Sequence, residues 1–417
     1  MTTKTLFFII SLLFLTESSF AETRTVKMLG PVAINTAAVT YGIPEGSVVS
    51  TTESARSRPL TSTGTFSNLR VKLSAAPANG AGTQTVTVAL RIAGAGTALT
   101  CVISEAETTC NDLTHEATGT AGQLVSFSIT PANTPAASNI ELTYQYVDSI
   151  PNYSWNIVGS GGASVAPTTI YYAFANNGGS SIAGYNQMPM PTSGTIRNLY
   201  CQLSAAPDNG GGTQSWIHTF RKDGVDQTVT CTVSEAATTC NDTTHSFTFV
   251  AGEKIQLSQA ASNTPASSTI SCAATFQPDV EGEFLLGAGF DTALSTSATQ
   301  YRGVESAASW NATESAVDQI SLPFTIKGFY TFLDGAPDNG GGTQSYTLTI
   351  RDDGVSTGHS CVMSEAATSC NDVDAGVNVV IDSQMSVQQV PSGTPTARLG
   401  YSGILGYNKP RRIVRET

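Results

Sequence analysis

Apolar and polar residues alternate over short distances along most of this chain. Ser215-Trp216-Ile217-His218-Thr219-Phe220-Arg221 alternates, Lys222-Asp223-Gly224 makes a turn, and Val225 to Val233 runs back as the partner strand. Ser246 to Val250, Ile255 to Ser258 and Thr269 to Phe276 alternate again, separated by Ala251-Gly252-Glu253 and by the polar Ala261 to Pro265 loop. Upstream, Thr168 to Phe174 and Thr195 to Leu203 add two more strands. No stretch sustains a 3.6-residue period with helix caps. About eight short strands with turn signals every ten residues or so predict a two-sheet sandwich, most simply a jelly roll.

That pattern occurs three times. Ala76-Pro77-Ala78-Asn79-Gly80-Ala81-Gly82-Thr83-Gln84 returns as Ala206 to Gln214 and again as Ala336 to Gln344, 130 residues on each time. The same offset carries Cys101 to Cys231 and Cys361, Cys110-Asn111-Asp112 to Cys240-Asn241-Asp242 and Cys370-Asn371-Asp372, and Tyr41 to Tyr171 and Tyr301. A solenoid repeat is 20 to 50 residues long, whereas about 130 residues is the size of a whole domain with its own core. The fold class expected is therefore all-β, with three tandem jelly-roll-like β-sandwich domains over 22–149, 150–279 and 280–417. Read this way they are beads in series.

Residues 1–21 lie outside the repeats and read as a signal peptide: Lys4, an apolar Leu6 to Leu15 too short to span a bilayer, then Ser19-Phe20-Ala21 as a cleavage site. No other segment offers the roughly 20 apolar residues of a membrane helix. Secretion, to the extracellular space or cell surface, is the expected address.

All eight cysteines follow that leader, and six of them form three Cys-x8-Cys pairs. Zinc ribbons and redox sites use Cys-x2-Cys, which is absent, so no metal site is expected. A two-residue turn at Glu235-Ala236 pairs Ser234 with Ala237, and counting outward puts Cys231 opposite Cys240 on one hairpin ladder. Disulfides are thus expected between Cys101 and Cys110, Cys231 and Cys240, and Cys361 and Cys370, each worth about 2.5 to 3 kcal/mol by loop entropy. Cys201 and Cys272 occur only in the middle repeat and are left as partners, tying an early strand to the last.

An Arg-Lys-Asp-Gly-type hairpin turn (Arg221 to Gly224, Arg351 to Gly354) followed by Val250-Ala-Gly-Glu-Lys-Ile-Gln-Leu257 resembles the jelly-roll domains of complement and tumour-necrosis-factor heads, of which bacterial and phage surface fibres use comparable versions. The resemblance covers about 80 of each 130 residues. The first repeat departs from it at Arg91 to Gly94 and the third at Val380 to Ser383. It implies an architecture and a surface role.

Charged residues make up only 12% of the chain, and its net charge is −12 with no basic stripe. Such a chain repels phosphates, so nucleic acid is not an expected partner. Lys409, Arg411, Arg412 and Arg415 read as a solvated tail. Of four histidines only His115 and His245 share a repeat position, with Ala375 in the third copy, so a repeated catalytic or metal role is not supported. No nucleophile elbow, His-Glu-x-x-His or phosphate loop is found. Glu105, Glu235 and Glu365 fall in turns, and Asp112, Asp242 and Asp372 follow the cysteine strand, so turn chemistry accounts for both sets. No catalytic residue, metal or cofactor is expected.

The Gly-rich loop is the candidate ligand loop. Asp208, Asn209, Gln214, Asp338, Asn339 and Gln344 can present hydrogen-bond partners to sugar hydroxyls, although no aromatic platform recurs, Trp216 being matched by Val86 and Tyr346. A calcium site there would have one carboxylate, replaced by Ala78 in the first repeat. Asn152, Asn241 and Asn311 are glycosylation sequons. Two functions follow as expectations: a non-enzymatic subunit of an extracellular filament, fibre or surface layer that self-assembles, or a multivalent carbohydrate-binding adhesin or lectin. For assembly, Glu22 to Ala38, with Val26, Met28, Val32 and Ile34 around a flexible Gly30-Pro31, either exchanges into the next molecule's sheet or pairs within its own repeat.

Overall fold

The structure, a computed structural model, describes residues 19–414 apart from 81, 166, 176–178, 290–291, 306–308, 374–375 and 410. Most of the predicted leader, together with Arg415 and Ala375, lies outside the described residues. The chain is all-β, built from antiparallel sheets. In the first repeat the main strands are β1 (Arg24–Ala33), β2 (Thr40–Gly42), β3 (Gly64–Leu73), β4 (Thr85–Ile92), β5 (Ala95–Ser104), β6 (Thr109–Asp112), β7 (Leu124–Ala132) and β8 (Asn139–Asp148). One sheet runs β1-β8-β3-β6 and the other β2-β7-β4-β5. This is the strand order of a jelly roll, and two further sheet pairs repeat it along the chain.

Alternation in sequence becomes alternation in burial. Along β4, Val86, Val88 and Leu90 are buried while Thr85, Thr87 and Ala89 are half-buried. The β4–β5 turn has the same left-handed pair in every repeat, at Ala93-Gly94, Asp223-Gly224 and Asp353-Gly354. Only glycine tolerates the second position freely, which is why it recurs there although the residue before it changes.

The cysteine hairpin departs from expectation. Ala237 N–H does donate to the Ser234 carbonyl (3.0 Å), and Glu235 is left-handed (φ 53°), so the turn is where the sequence places it. The two strands leaving it do not pair, because Val225–Ser234 joins one sheet and Thr239–Phe249 the other. Cys240 faces Cys201 across its ladder, and the Cys231–Cys240 bridge crosses between sheets. Cys101–Cys110 and Cys361–Cys370 do the same. Cys201–Cys272 joins neighbouring strands of a single sheet.

The hydrophobic cores do not stop at the repeat boundaries. Val26, Trp155 and Leu285 occupy one register position, opposite Gln145, Thr275 and Leu405. Val26 belongs to the core of the third repeat, Trp155 to that of the first and Leu285 to that of the second. Each repeat thus lends side chains of its first strand to another, and the exchange runs round a closed circuit. The beads in series expected from sequence are a ring that shares its cores.

The N-terminal segment shows how closure is built. Its β1 pairs with β8 of its own repeat, while Val26 and Met28 reach into the third repeat. Gly30, expected to be a flexible break, is fixed at a bulge: its N–H donates to Gly46 (2.7 Å) and its carbonyl accepts from Gln319 Nε2 of the third repeat (2.7 Å). The gap-free alignment also ends here, since the matching strands are offset by 129 residues between Val26 and Trp155 and by 130 between Trp155 and Leu285.

Candidate functional site

The repeated Gly-rich loop folds against the Glu turn and the loop before the last strand. Asn79, Asn209 and Asn339 donate Nδ2 to the carbonyls of Thr134, Thr264 and Thr394. From the other side Asn133 and Asn263 donate to the Thr83 and Thr213 carbonyls. Gln84, Gln214 and Gln344 are buried, and the last two donate Nε2 to Gly211 and Gly341 within the loop. Asp208 and Asp338 accept from the N–H of Gly210 and Gly340. Each of the amides and carboxylates singled out as sugar partners thus makes at least one such bond, while Asp208, Asn209, Asp338 and Asn339 stay exposed. The structure brings Asp208, Asn209 and Gln214 together, and likewise Asp338, Asn339 and Gln344, as braces.

The repeated acids have equally local work. Glu105 and Glu365 accept from the N–H of Gln84 and Gln344. Burial pushes the Asp112 carboxyl up, but hydrogen bonds from the N–H of Thr100, His115 and Thr114 and from the His115 ring outweigh it and hold Asp112 down at about 2. Asp242 has the same partners in Thr230, His245 and Thr244 and is also lowered. This carboxylate ties the fifth strand to the sixth, and its exposed histidine caps the tie (3.0 Å to His115, 3.1 Å to His245).

Sequence reasoning missed the centre of the ring. Lys27, fully buried, reaches Glu45 of its own repeat (3.0 Å), Asn156 of the second (3.1 Å) and Glu305 of the third (3.6 Å). One ammonium thus touches all three repeats. Burial pushes Glu305 up to about 8 and also raises Glu45, against the pull of Lys27 in both cases. Glu305 Oε2 further accepts from Met28 N–H (2.6 Å). Glu45 and Glu305 do share a repeat position, with Ala175 between them, but nothing local marks it as central.

Two clefts lie on seams between repeats at corresponding positions. One, of about 360 Å³, is lined by Tyr330, Phe332 and Asn371 of the third repeat and Pro189 and Lys254 of the second; the Lys254 ammonium stands 5.1 Å from the Phe332 ring. The other, of about 370 Å³, is lined by Arg70, Lys72 and Asn111 of the first repeat and Ile320, Asp382 and Gln384 of the third. Arg70 there pairs with Asp382 at 2.9 Å. Of the sequons, Asn241 is exposed; Asn152 is half-buried and donates to the Pro278 carbonyl; Asn311 is half-buried and pairs through its backbone with Tyr301.

The middle repeat also carries an unmatched histidine. His218 is fully buried, neither ring nitrogen has a hydrogen-bond partner, and burial pushes it down to about 3. Its counterparts are Val88 and Leu348. Four disulfides join all eight cysteines, and among the described residues no helix is long and apolar enough to cross a membrane. No family model matches the chain, and no curated protein matches it either.

Proposed function

We propose that the protein is a secreted, non-enzymatic building block of an extracellular fibre or surface layer, in which the three repeats act as one preassembled three-lobed head. The observation that carries this reading is Lys27, held at once by groups of all three repeats. A head closed on itself has already buried the surfaces by which its lobes associate, so it resists dissociation at any dilution. The inter-sheet disulfides and the hydrogen bonds that brace the Gly-rich loops favour durability. Within this reading, copies join through the outer surfaces of the ring, and β1 is not available for exchange because Val26 and Met28 are committed to the third repeat and Leu29 and Val32 to the first. Negative-stain microscopy of native material tests the proposal. Filaments or sheets of three-lobed particles are expected, and dispersed single particles at every concentration would contradict it.

The two corresponding seam clefts favour a second reading, a multivalent glycan-binding adhesin. They offer an aromatic ring beside a lysine in one case and an Arg–Asp pair in the other. Glycan-array binding that is lost in Phe332→Ala supports the adhesin over the building block.

A further inference from the structure

The first strands of the three repeats meet at the centre of the ring, and one position there is filled in three different ways. Lys27, Asn156 and Leu286 are equivalents, standing opposite Tyr144, Ala274 and Ile404 on the neighbouring strand. Lys27, Asn156 and Leu286 are fully buried, and Glu45 and Glu305 are buried beside them. Lys27 Nζ lies 3.1 Å from Asn156 Oδ1, 3.0 Å from Glu45 Oε1 and 3.6 Å from Glu305 Oε1. The other end of the amide is held as well, because Asn156 Nδ2 donates to the Ser154 carbonyl (3.1 Å). Two residues earlier, Thr25 Oγ1 donates to Ser154 Oγ (3.3 Å), so the strands Arg24–Ala33 and Ser154–Val165 are fixed side by side.

An amine, a primary amide and two carboxyls are a costly set of groups to bury at a position that leucine fills in the third copy. They are also the reactants and the proton carriers of amide formation. We propose that Lys27 and Asn156 join in an isopeptide bond between the first and second repeats, with Glu45 and Glu305 carrying the protons. The amide carbon of Asn156 is one bond beyond the oxygen that Lys27 already touches, and each group is set by a strand or by a buried neighbour, the arrangement in which proximity accelerates a reaction most. Burial favours neutral groups. It raises both carboxyls, Glu305 to about 8, so either can hold a proton taken from the ammonium and leave a neutral amine, the form that attacks.

The reaction balances without an oxidant, a reductant or a cofactor. At the start Lys27 is an ammonium, one carboxyl is ionised and the other is protonated. The ionised carboxyl takes one proton from Lys27, and the lone pair so freed forms the bond from Nζ to Asn156 Cγ. The protonated carboxyl gives its proton to Nδ2 and is reprotonated from Nζ. The Cγ–Nδ2 bond then breaks with its electron pair on nitrogen, and ammonia leaves. The products are a secondary amide, ammonia and two neutral carboxyls, so the step removes a buried ion pair. The contacts of Lys27 described above are those of the chain before this bond forms. Once formed, it locks two repeats together across 129 residues of sequence.

Mass spectrometry of the full folded chain, with its disulfides reduced just before measurement, tests the proposal. The expected mass falls short of the sequence by one ammonia. Digestion should yield a branched peptide joining Lys27 to Asn156, and trypsin should fail to cut after Lys27. Lys27→Arg and Asn156→Ala should each keep the ammonia and give only linear peptides. Replacing both acids, Glu45→Gln with Glu305→Gln, should slow the loss of ammonia by about 100-fold or more. Should a variant not fold, the branched peptide of the wild type still decides the matter. A wild-type chain of full mass that trypsin cuts after Lys27 would overturn the proposal. So would ammonia lost elsewhere, as at Asn79-Gly80, without the branched peptide, and a bond formed at the wild-type rate without the two acids would overturn their part in it.

Discussion

Lys27 faces two carboxylates and can neutralise only one. Both are buried, and burial outweighs the ammonium's pull, so a proton is retained on the pair into the neutral range; Glu305 is pushed up to about 8. The sign of the pH dependence follows. The unfolded chain releases that proton near pH 4.5 and the folded chain near 8, so this contribution to stability is complete below about pH 4.5 and declines as pH rises to about 8. Thermal midpoints measured from pH 5 to 9 should fall with rising pH, and Glu305→Gln should flatten that slope. Lys27→Met should cost about 3 to 5 kcal/mol, since it leaves buried carboxylates unpaired, and should cost more at pH 8 than at pH 5. Asp112 acts in the opposite sense. Its folded value of about 2 lies below the usual carboxylate range, so its stabilisation is present above about pH 4 and is lost as pH falls towards 2. Asp112→Asn should therefore reduce the loss of stability in acid titrations monitored by circular dichroism.

At the level of elements, the first strand of each repeat carries the packing between repeats. Trp155 lies against Phe66 and Tyr146 of the first repeat and donates Nε1–H to the Pro59 carbonyl (2.9 Å). Trp155→Ala should cost about 3 to 5 kcal/mol. Amide exchange should accelerate in the first repeat, around Gly64–Leu73 and Asn139–Asp148, although the substitution lies in the second. Exchange confined to the second repeat would show that the core follows the repeat boundary. Strands and turns were legible in the sequence because two-residue alternation and the Asp-Gly turn are local signals. The path after Glu235 was not, because a turn of the same geometry serves a hairpin or a crossing between sheets, and only distant pairing with Gly194–Leu203 decides between them. Nor did Val26, Trp155 and Leu285 reveal whose core they enter, since an apolar position on an outer strand reads alike for either neighbour. The candidate ligand loop was visible as a repeated motif, yet the bond from Asn209 to the Thr264 carbonyl joins residues 55 apart, which spacing does not bring together.

On the scale of the whole molecule, three copies of one fold can be a string or a ring, and a 130-residue period is compatible with both. The ring explains why Val26, Trp155 and Leu285 are buried at the same register position and why a lysine with two acids sits where the copies meet. It also places the first strand of the first repeat against the third repeat, so that the beginning and end of the fold are held together by Gln319 on Gly30, by Asn408 on Arg24 and by the pairing of Ser19–Glu22 with Arg411–Val414. Small-angle X-ray scattering of the monodisperse protein tests closure most directly. The ring predicts a radius of gyration near 21 Å, the value for one compact body of about 400 residues. A radius above about 30 Å, as for separate domains of about 130 residues strung in line, would contradict it.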